Sequence, residues 1–484
     1  MKKFVLNKNP DKNPSEFDMS ARELDMKFHD TESGNRERFI KENKNKILYL
    51  PENKEWLMWK ENRWERVAIA HIAELADKTA KKIYDEARDC NHSEGQKRLT
   101  RWAMKSQSKY LQNSMIEMAS RSPKLIESAS NFDTNPDLIN CQNGTVDLKT
   151  GELISHSPQN RHLKITSIRY RPNAKCPIFD NFLRQITLND PELMNWLQRF
   201  IGYQLTGHTK EQMFAIHYGT GANGKTTLFE TLKAILGDYA KTAEFETFLA
   251  TDKTNARAME AIGNLQGIRM AIASETDSSR RFSEALIKKV TGGDTLIGSA
   301  LYGRSYEFIP QFKLNFLANH LPVIKDASHG IKRRTKVIPF KQRFEGTDID
   351  LNLMDKLLAE AEGIFGWAVR GSRKWYTAVK NNNGNAALGT SGVIDEATTE
   401  YFYENDTFGQ FLDDCTCKDQ GAEAIASDLY ASYTNWSTQT SERYTLPQPI
   451  FSSRLKERGF QKKRRTSSIV YLGLSLKPEA VADF

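Results

Sequence analysis

Residues 219–226 read Gly-Thr-Gly-Ala-Asn-Gly-Lys-Thr, a pattern that restricts this part of the chain to a strand–loop–helix unit built around phosphate. An apolar run, Met213 to Tyr218, precedes it, and Thr227 to Leu236 follows with helical apolar spacing that stops at Gly237. Glycines let such a backbone curl until its N–H groups and the helix N-terminus converge on phosphate oxygens. The candidate nucleotide-binding residues are therefore Gly219, Thr220, Gly221, Ala222, Asn223, Gly224, Lys225, Thr226 and Thr227. Lys225 has the reach for β- and γ-phosphates, and the Thr226 hydroxyl is a candidate Mg²⁺ ligand, so ATP and Mg²⁺ are the expected cofactors. A glycine turn before an ordinary helix is the plainer alternative, and both flanking elements weigh against it.

A phosphate loop also needs a carboxylate on a neighbouring strand to hold Mg²⁺ and prepare the attacking water. The apolar run from Met270 to Ser274 ends in Glu275, the candidate catalytic and metal-binding acid, with Asp277 second. A cap for a helix starting near Ser283 is the plainer alternative for such an acid. A further strand, Lys313 to Ala318, leads to Asn319, whose amide can hold the lytic water or sense the γ-phosphate. Asn after a strand is otherwise a common turn former. Arg333 and Arg334 stand just before another strand, Lys336 to Phe340. Either can serve a neighbouring subunit's γ-phosphate as an arginine finger, or both can form a solvated basic turn.

A chain of 484 residues is too long for one core, and about two to four domains are expected. Residues 1–35 are polar and expected to be partly disordered, and 36–205 form a mostly helical N-terminal region with a small strand–turn–strand element after Ile47. Candidate strands at 213–218, 268–273, 313–318 and 334–338 alternate with helices, which predicts an α/β ATPase domain with a mainly parallel sheet over 206–378. An Asn- and Gly-rich linker is expected over 379–395, with a small domain over 396–484. There, Leu429 to Trp436, Phe451 to Phe460, Gln461 to Arg465 and Ile469 to Leu474 read as helix, helix, basic turn and strand. That order suits a winged helix, with Lys462, Lys463, Arg464 and Arg465 as candidate DNA phosphate contacts; a solvated turn is the alternative. The net charge of +8 fits a polyanionic partner. Five scattered cysteines read as reduced thiols, and no apolar run approaches the ~20 residues of a membrane span, so no membrane contact and a cytoplasmic location are expected.

The order of these motifs resembles superfamily 3 helicases, a branch of the AAA+ ATPases, and above all the poxvirus- and satellite-phage-type primase–helicases. Gly219 to Thr227, Ala273 to Thr276, Lys288 to Asp294, Phe312 to Pro322 and Arg333 to Phe340 carry the likeness, with a looser match upstream from Asn140 to Tyr203. The resemblance implies a homo-hexameric replicative helicase or initiator that threads single-stranded DNA, moves 3′ to 5′, and works in a bacterial host on a phage or mobile element. It also implies a central-channel β-hairpin, here within 294–310, with Lys288 and Lys289 leading in and Tyr302 and Arg304 as DNA contacts. A lysine pair on a solvated helix face is the alternative for Lys288 and Lys289. Ser299 stands where relatives often carry an arginine. No alternating acid pair marks a primase domain, so a separate primase is expected as partner, with origin duplex DNA a further candidate ligand. An ATP-dependent DNA-binding regulator or loader is the competing reading.

Overall fold

The computed structural model describes residues 28–250, 256–274, 282–299, 305–322, 329–440, 445–466 and 468–478. The chain divides into two compact units: residues up to Tyr170 with Leu236–Asp238, and Arg171–Ile235 with Tyr239 onward.

The first unit opens with the helix Glu32–Asn43, whose first turn is capped by Thr31: its hydroxyl accepts from the Gly34 amide at 3.1 Å. Its start lies within the segment expected to be partly disordered, of which 1–27 fall outside the described residues. Strands Ile47–Leu50, Glu55–Trp59 and Trp64–Val67 form an antiparallel sheet, one strand more than the sequence reading had found. Helices Ile69–Arg88, Ser93–Ser106 and Lys109–Ser120 follow. Apolar residues three and four apart, such as Ile72 and Ala76, close a core with Phe39, Ile47, Trp56 and Met115. A second antiparallel sheet, Leu138–Cys141, Gly144–Asp147 and Leu153–Ile154, turns at Gln142-Asn143.

In the second unit, helices Pro177–Ile186 and Pro191–Leu205 both begin with proline, which suits a first helical position because its missing N–H would have no partner there. The sheet behind the phosphate loop has five strands, all parallel. Across it the order is Thr335–Pro339, Phe214–Tyr218, Lys313–Ala318, Met270–Ser274 and Ala240–Thr242. Four of the five match the expected strands; Ala240–Thr242, only three residues long at an edge, carries too little pattern to be read. The α/β class and parallel sheet are thus as the sequence implied. Alternate residues face opposite sides of a strand. Phe214, Ile216, Leu314 and Phe316 join one aromatic-rich core with Phe245, Phe248 and Phe282, while on the other face His217 Nε2 meets Asn315 Oδ1 and Lys313 Nζ donates to the Thr206 carbonyl.

The helix Ala361–Asn381 runs through the start of the expected linker. The next helix, Gly392–Glu404, belongs to the sheet: the Val337 amide donates to Thr398 Oγ1 at 3.0 Å, and Tyr401 and Phe402 enter the aromatic core. The terminal module is therefore shorter than 396–484. It runs helix Thr407–Cys415, strand Thr416–Ile425, helices Ala426–Gln439 and Gln448–Glu457, then strands Gln461–Arg464 and Ile469–Leu476. This helix–strand–helix–helix–strand–strand order, closed as an antiparallel sheet, is a winged-helix topology.

Candidate functional site

The phosphate loop joins the strand ending at Tyr218 to the helix Lys225–Leu236, whose N-terminus it presents. Three residues of the loop are left-handed, Gly221 at φ +99°, Ala222 at +46° and Gly224 at +83°. Packing fixes the loop from behind. A Cβ on Gly219 would lie 2.3 Å from Asn223 Nδ2 and 2.5 Å from the Phe340 carbonyl; one on Gly224 would lie 2.7 Å from Ile186 Cγ2. A Cβ on Gly221 would meet nothing within 4 Å, so the loop's middle faces open space while its ends are clamped. The Phe344 amide donates to the Ala222 carbonyl at 2.8 Å and ties the chain after the last strand to the same loop.

Lys225 is the buried cation of this arrangement. Its ammonium donates to the Gly219 carbonyl and, at 3.3 Å, to Asn319 Oδ1. Burial brings its pKa down to about 8. Asn319 follows the strand Lys313–Ala318, which lies directly beside the phosphate-loop strand, and that adjacency is what brings the two side chains together. Thr220 and Thr226 are exposed, with the Thr226 hydroxyl in the first turn of the helix. An ammonium, a helix N-terminus and a loop open at Gly221 fit the anionic oxygens of a triphosphate. The strand Met270–Ser274 lies on the other side of Lys313–Ala318 and ends at the same C-terminal edge of the sheet. Glu275 and Asp277, next along the chain, lie outside the described residues.

The two arginines are not part of this cluster. In a parallel sheet the loop and Asn319 sit at the C-terminal ends of their strands, whereas Arg333 and Arg334 precede the N-terminal end of theirs. Arg334 is buried, with Nε donating to Thr291 Oγ1 at 3.1 Å and Nη1 to the Gly330 carbonyl at 3.0 Å. Arg333 is exposed and reaches Gln212 Oε1 at 3.3 Å.

In sequence between the strands Met270–Ser274 and Lys313–Ala318, Leu296–Ser299 and Ser305–Phe308 pair as an antiparallel hairpin, within the span where one was expected. Ser299 is its last paired residue, opposite Ser305, and Tyr302 and Arg304 lie outside the described residues. Lys288 and Lys289 are on the helix Glu284–Gly292; Lys288 Nζ is 3.1 Å from Glu284 Oε2, and Lys289 is exposed. In the terminal module the basic cluster is not a turn. Lys462, Lys463 and Arg464 lie on the exposed strand Gln461–Arg464, which forms because Ile469–Leu476 pairs with it antiparallel. Arg465, just beyond, is ion-paired with Glu423.

Sequence reasoning passed over the polar groups inside the sheet. His217, Asn315, Lys313, Gln204 and Thr206 are all buried. Lys313 Nζ donates to the Thr206 carbonyl, sits 4.9 Å over the Tyr203 ring, and is held well below the usual lysine range by burial and by Arg269 nearby. The available signal was period two: Lys313 and Asn315 alternate with Leu314 and Phe316 in an otherwise apolar strand.

Residues 36–188 match the family described as D5 N terminal like. The chain is 28% identical over 329 residues to a provisionally named helicase, L207/L206, of Acanthamoeba polyphaga mimivirus, covering 63% of this chain and 33% of that protein. It is 22% identical over 323 residues to a provisionally named primase, C962R, of African swine fever virus, covering 63% of this chain and 34% of that protein. The chain thus spans about a third of the length of these relatives. The solved apo structure of the NrS-1 C terminal region (305-718) superposes with a TM-score of 0.48 at 11% identity, over 88% of this chain and 95% of that one. With the motif order already described, the match over residues 36–188 and the viral relatives support a likeness to the D5-like primase–helicases of the superfamily 3 type.

Proposed function

We propose that this chain is the ATP-driven motor of a replicative DNA helicase, completed between subunits of a homo-hexameric ring and moving 3′ to 5′ on single-stranded DNA. The observation that carries the reading is the Lys225–Asn319 contact at the C-terminal edge of a parallel sheet, beside a loop clamped at Gly219 and Gly224. Lys225 and the loop amides would neutralise phosphate charge, and Asn319 would test for the γ-phosphate. Thr226 and Glu275 would hold Mg²⁺, which polarises the β- and γ-phosphates when bound. Arg333 would reach the γ-phosphate of the adjacent subunit, since its own loop lies at the other end of the sheet. The hairpin Leu296–Phe308, with Lys288, Lys289, Tyr302 and Arg304, would grip the strand in the channel, and the terminal module would hold duplex DNA, at an origin, through Lys462, Lys463 and Arg464.

Strand displacement is the test. Purified protein with Mg-ATP should unwind a 3′-tailed duplex, and Lys225→Ala should abolish unwinding and hydrolysis together. Hydrolysis stimulated by single-stranded DNA without displacement would replace this reading with an ATP-dependent regulator or loader, which the exposed basic strand of the terminal module also suits. Failure of the protein to bind ATP would remove both.

A further inference from the structure

Three fully buried amide and imidazole groups meet in the middle of the parallel sheet. Gln204 Nε2 donates to Asn315 Oδ1 at 2.7 Å, and Asn315 Nδ2 returns a bond to Gln204 Oε1 at 3.1 Å. His217 Nε2 lies 3.2 Å from the same Asn315 oxygen, and Asn315 Nδ2 also approaches the Ala271 carbonyl at 3.3 Å. Burial pushes the His217 pKa down to about 3, so the ring is neutral. An amide oxygen can only accept, so the His217 proton resides on Nε2. Nδ1 is then a bare acceptor without a partner, an arrangement that apolar side chains of the same size would avoid.

What this costly cluster does is set by where its members sit. His217 belongs to the phosphate-loop strand, Asn315 to the sensor strand, Ala271 to the strand leading to Glu275, and Gln204 to the end of the helix Pro191–Leu205. Asn315 is therefore bonded towards both neighbouring strands and towards the helix covering them. Asn319 lies four residues further on, immediately past the end of the same strand at Ala318, so the height of that strand sets where Asn319 stands. Apolar contacts tolerate a small axial slip between strands, whereas a reciprocal amide pair with a third donor does not.

We propose that Asn315 is a positioning residue for Asn319: with Gln204 and His217 it sets the height of the sensor strand against the phosphate loop, so that Asn319 stays within reach of Lys225 and of a γ-phosphate. The inference rests on the nucleotide-site reading above and extends it to residues that touch no ligand.

The experiment compares ADP and ATP affinities, measured by fluorescence titration on the full chain, for wild type, Asn319→Ala, Asn315→Leu and Gln204→Leu. Wild type should favour ATP, and Asn319→Ala should reduce that preference about tenfold, one charge-assisted hydrogen bond's worth. Asn315→Leu should reduce it by a similar factor while ADP affinity stays within about threefold. A purely structural role would lower the melting temperature and weaken both nucleotides equally, and that result overturns the proposal. An unchanged preference in folded Asn315→Leu also overturns it, as does wild type that does not distinguish the nucleotides. Should Asn315→Leu fail to fold, Gln204→Leu is judged by the same ratio, because it leaves His217 and Asn315 bonded. Wild type that prefers ATP but unwinds nothing would sink the motor reading alone, leaving this ratio to decide the proposal.

Discussion

Arg334 Nε donates to Thr291 Oγ1 at 3.1 Å inside the protein, while its neighbour Arg333 is exposed to solvent. One of two adjacent arginines is committed to the fold and the other is free to face outward. Arg333→Ala should leave the melting temperature within a degree or so and cut hydrolysis on the order of a thousandfold, as loss of an arginine finger does. Mixing it with Lys225→Ala subunits should restore part of the activity, read as phosphate release. Arg334→Ala should instead destabilise by about 1–3 kcal/mol, measured by urea unfolding, through the buried partners it strands.

Gly224→Ala should abolish nucleotide binding, because φ +83° and the 2.7 Å approach to Ile186 Cγ2 both reject a Cβ. Gly221→Ala meets only the backbone penalty, about 1–2 kcal/mol, since nothing stands in its way. Calorimetric titration with ATP separates the two: a weakened but measurable affinity for Gly221→Ala, none for Gly224→Ala.

Nucleotide affinity should fall as pH rises past about 8. Below that value the Lys225 ammonium is already charged and pairs with phosphate directly. Above it the free protein holds a neutral amine, so binding must take up a proton, and affinity drops by up to about tenfold per pH unit. Titrations between about pH 6.5 and 9.5 test this, with Lys225→Arg as the reference whose guanidinium keeps its charge across the range.

Duplex DNA binding by the terminal module should be salt-dependent. Lys462→Ala, Lys463→Ala and Arg464→Ala should each lower the slope of log affinity against log salt by about 0.9 where the side chain meets a phosphate. Arg465→Ala should lower it less, because that guanidinium is already paired with Glu423. Fluorescence anisotropy over a salt series measures both.

Much of the site was legible in the chain because its signals are local. The strand–loop–helix around Lys225 is written in consecutive residues, the strands 213–218 and 313–318 in alternating apolar runs, and the hairpin within 294–310 in motif order. Local signals misled where partners decide conformation. Lys462 to Arg464 looks like a basic turn, yet it is a strand because Ile469–Leu476 offers it a hydrogen-bonding edge. Gly392–Glu404 looks like part of the terminal module, yet its Tyr401 and Phe402 are buried in the core of the parallel sheet.

By itself the sequence determined which side chains are available for phosphate chemistry and which segments carry them, since loop curvature and helix initiation depend on neighbouring residues. Tertiary structure alone decided which of them meet. Sheet order, a long-range property, sets the strand Lys313–Ala318 beside the phosphate-loop strand and so brings Asn319 to Lys225. The direction of the parallel strands sends Arg333 to the other end, and burial, which depends on everything packed around a residue, turns Arg334 inward and leaves Arg333 out.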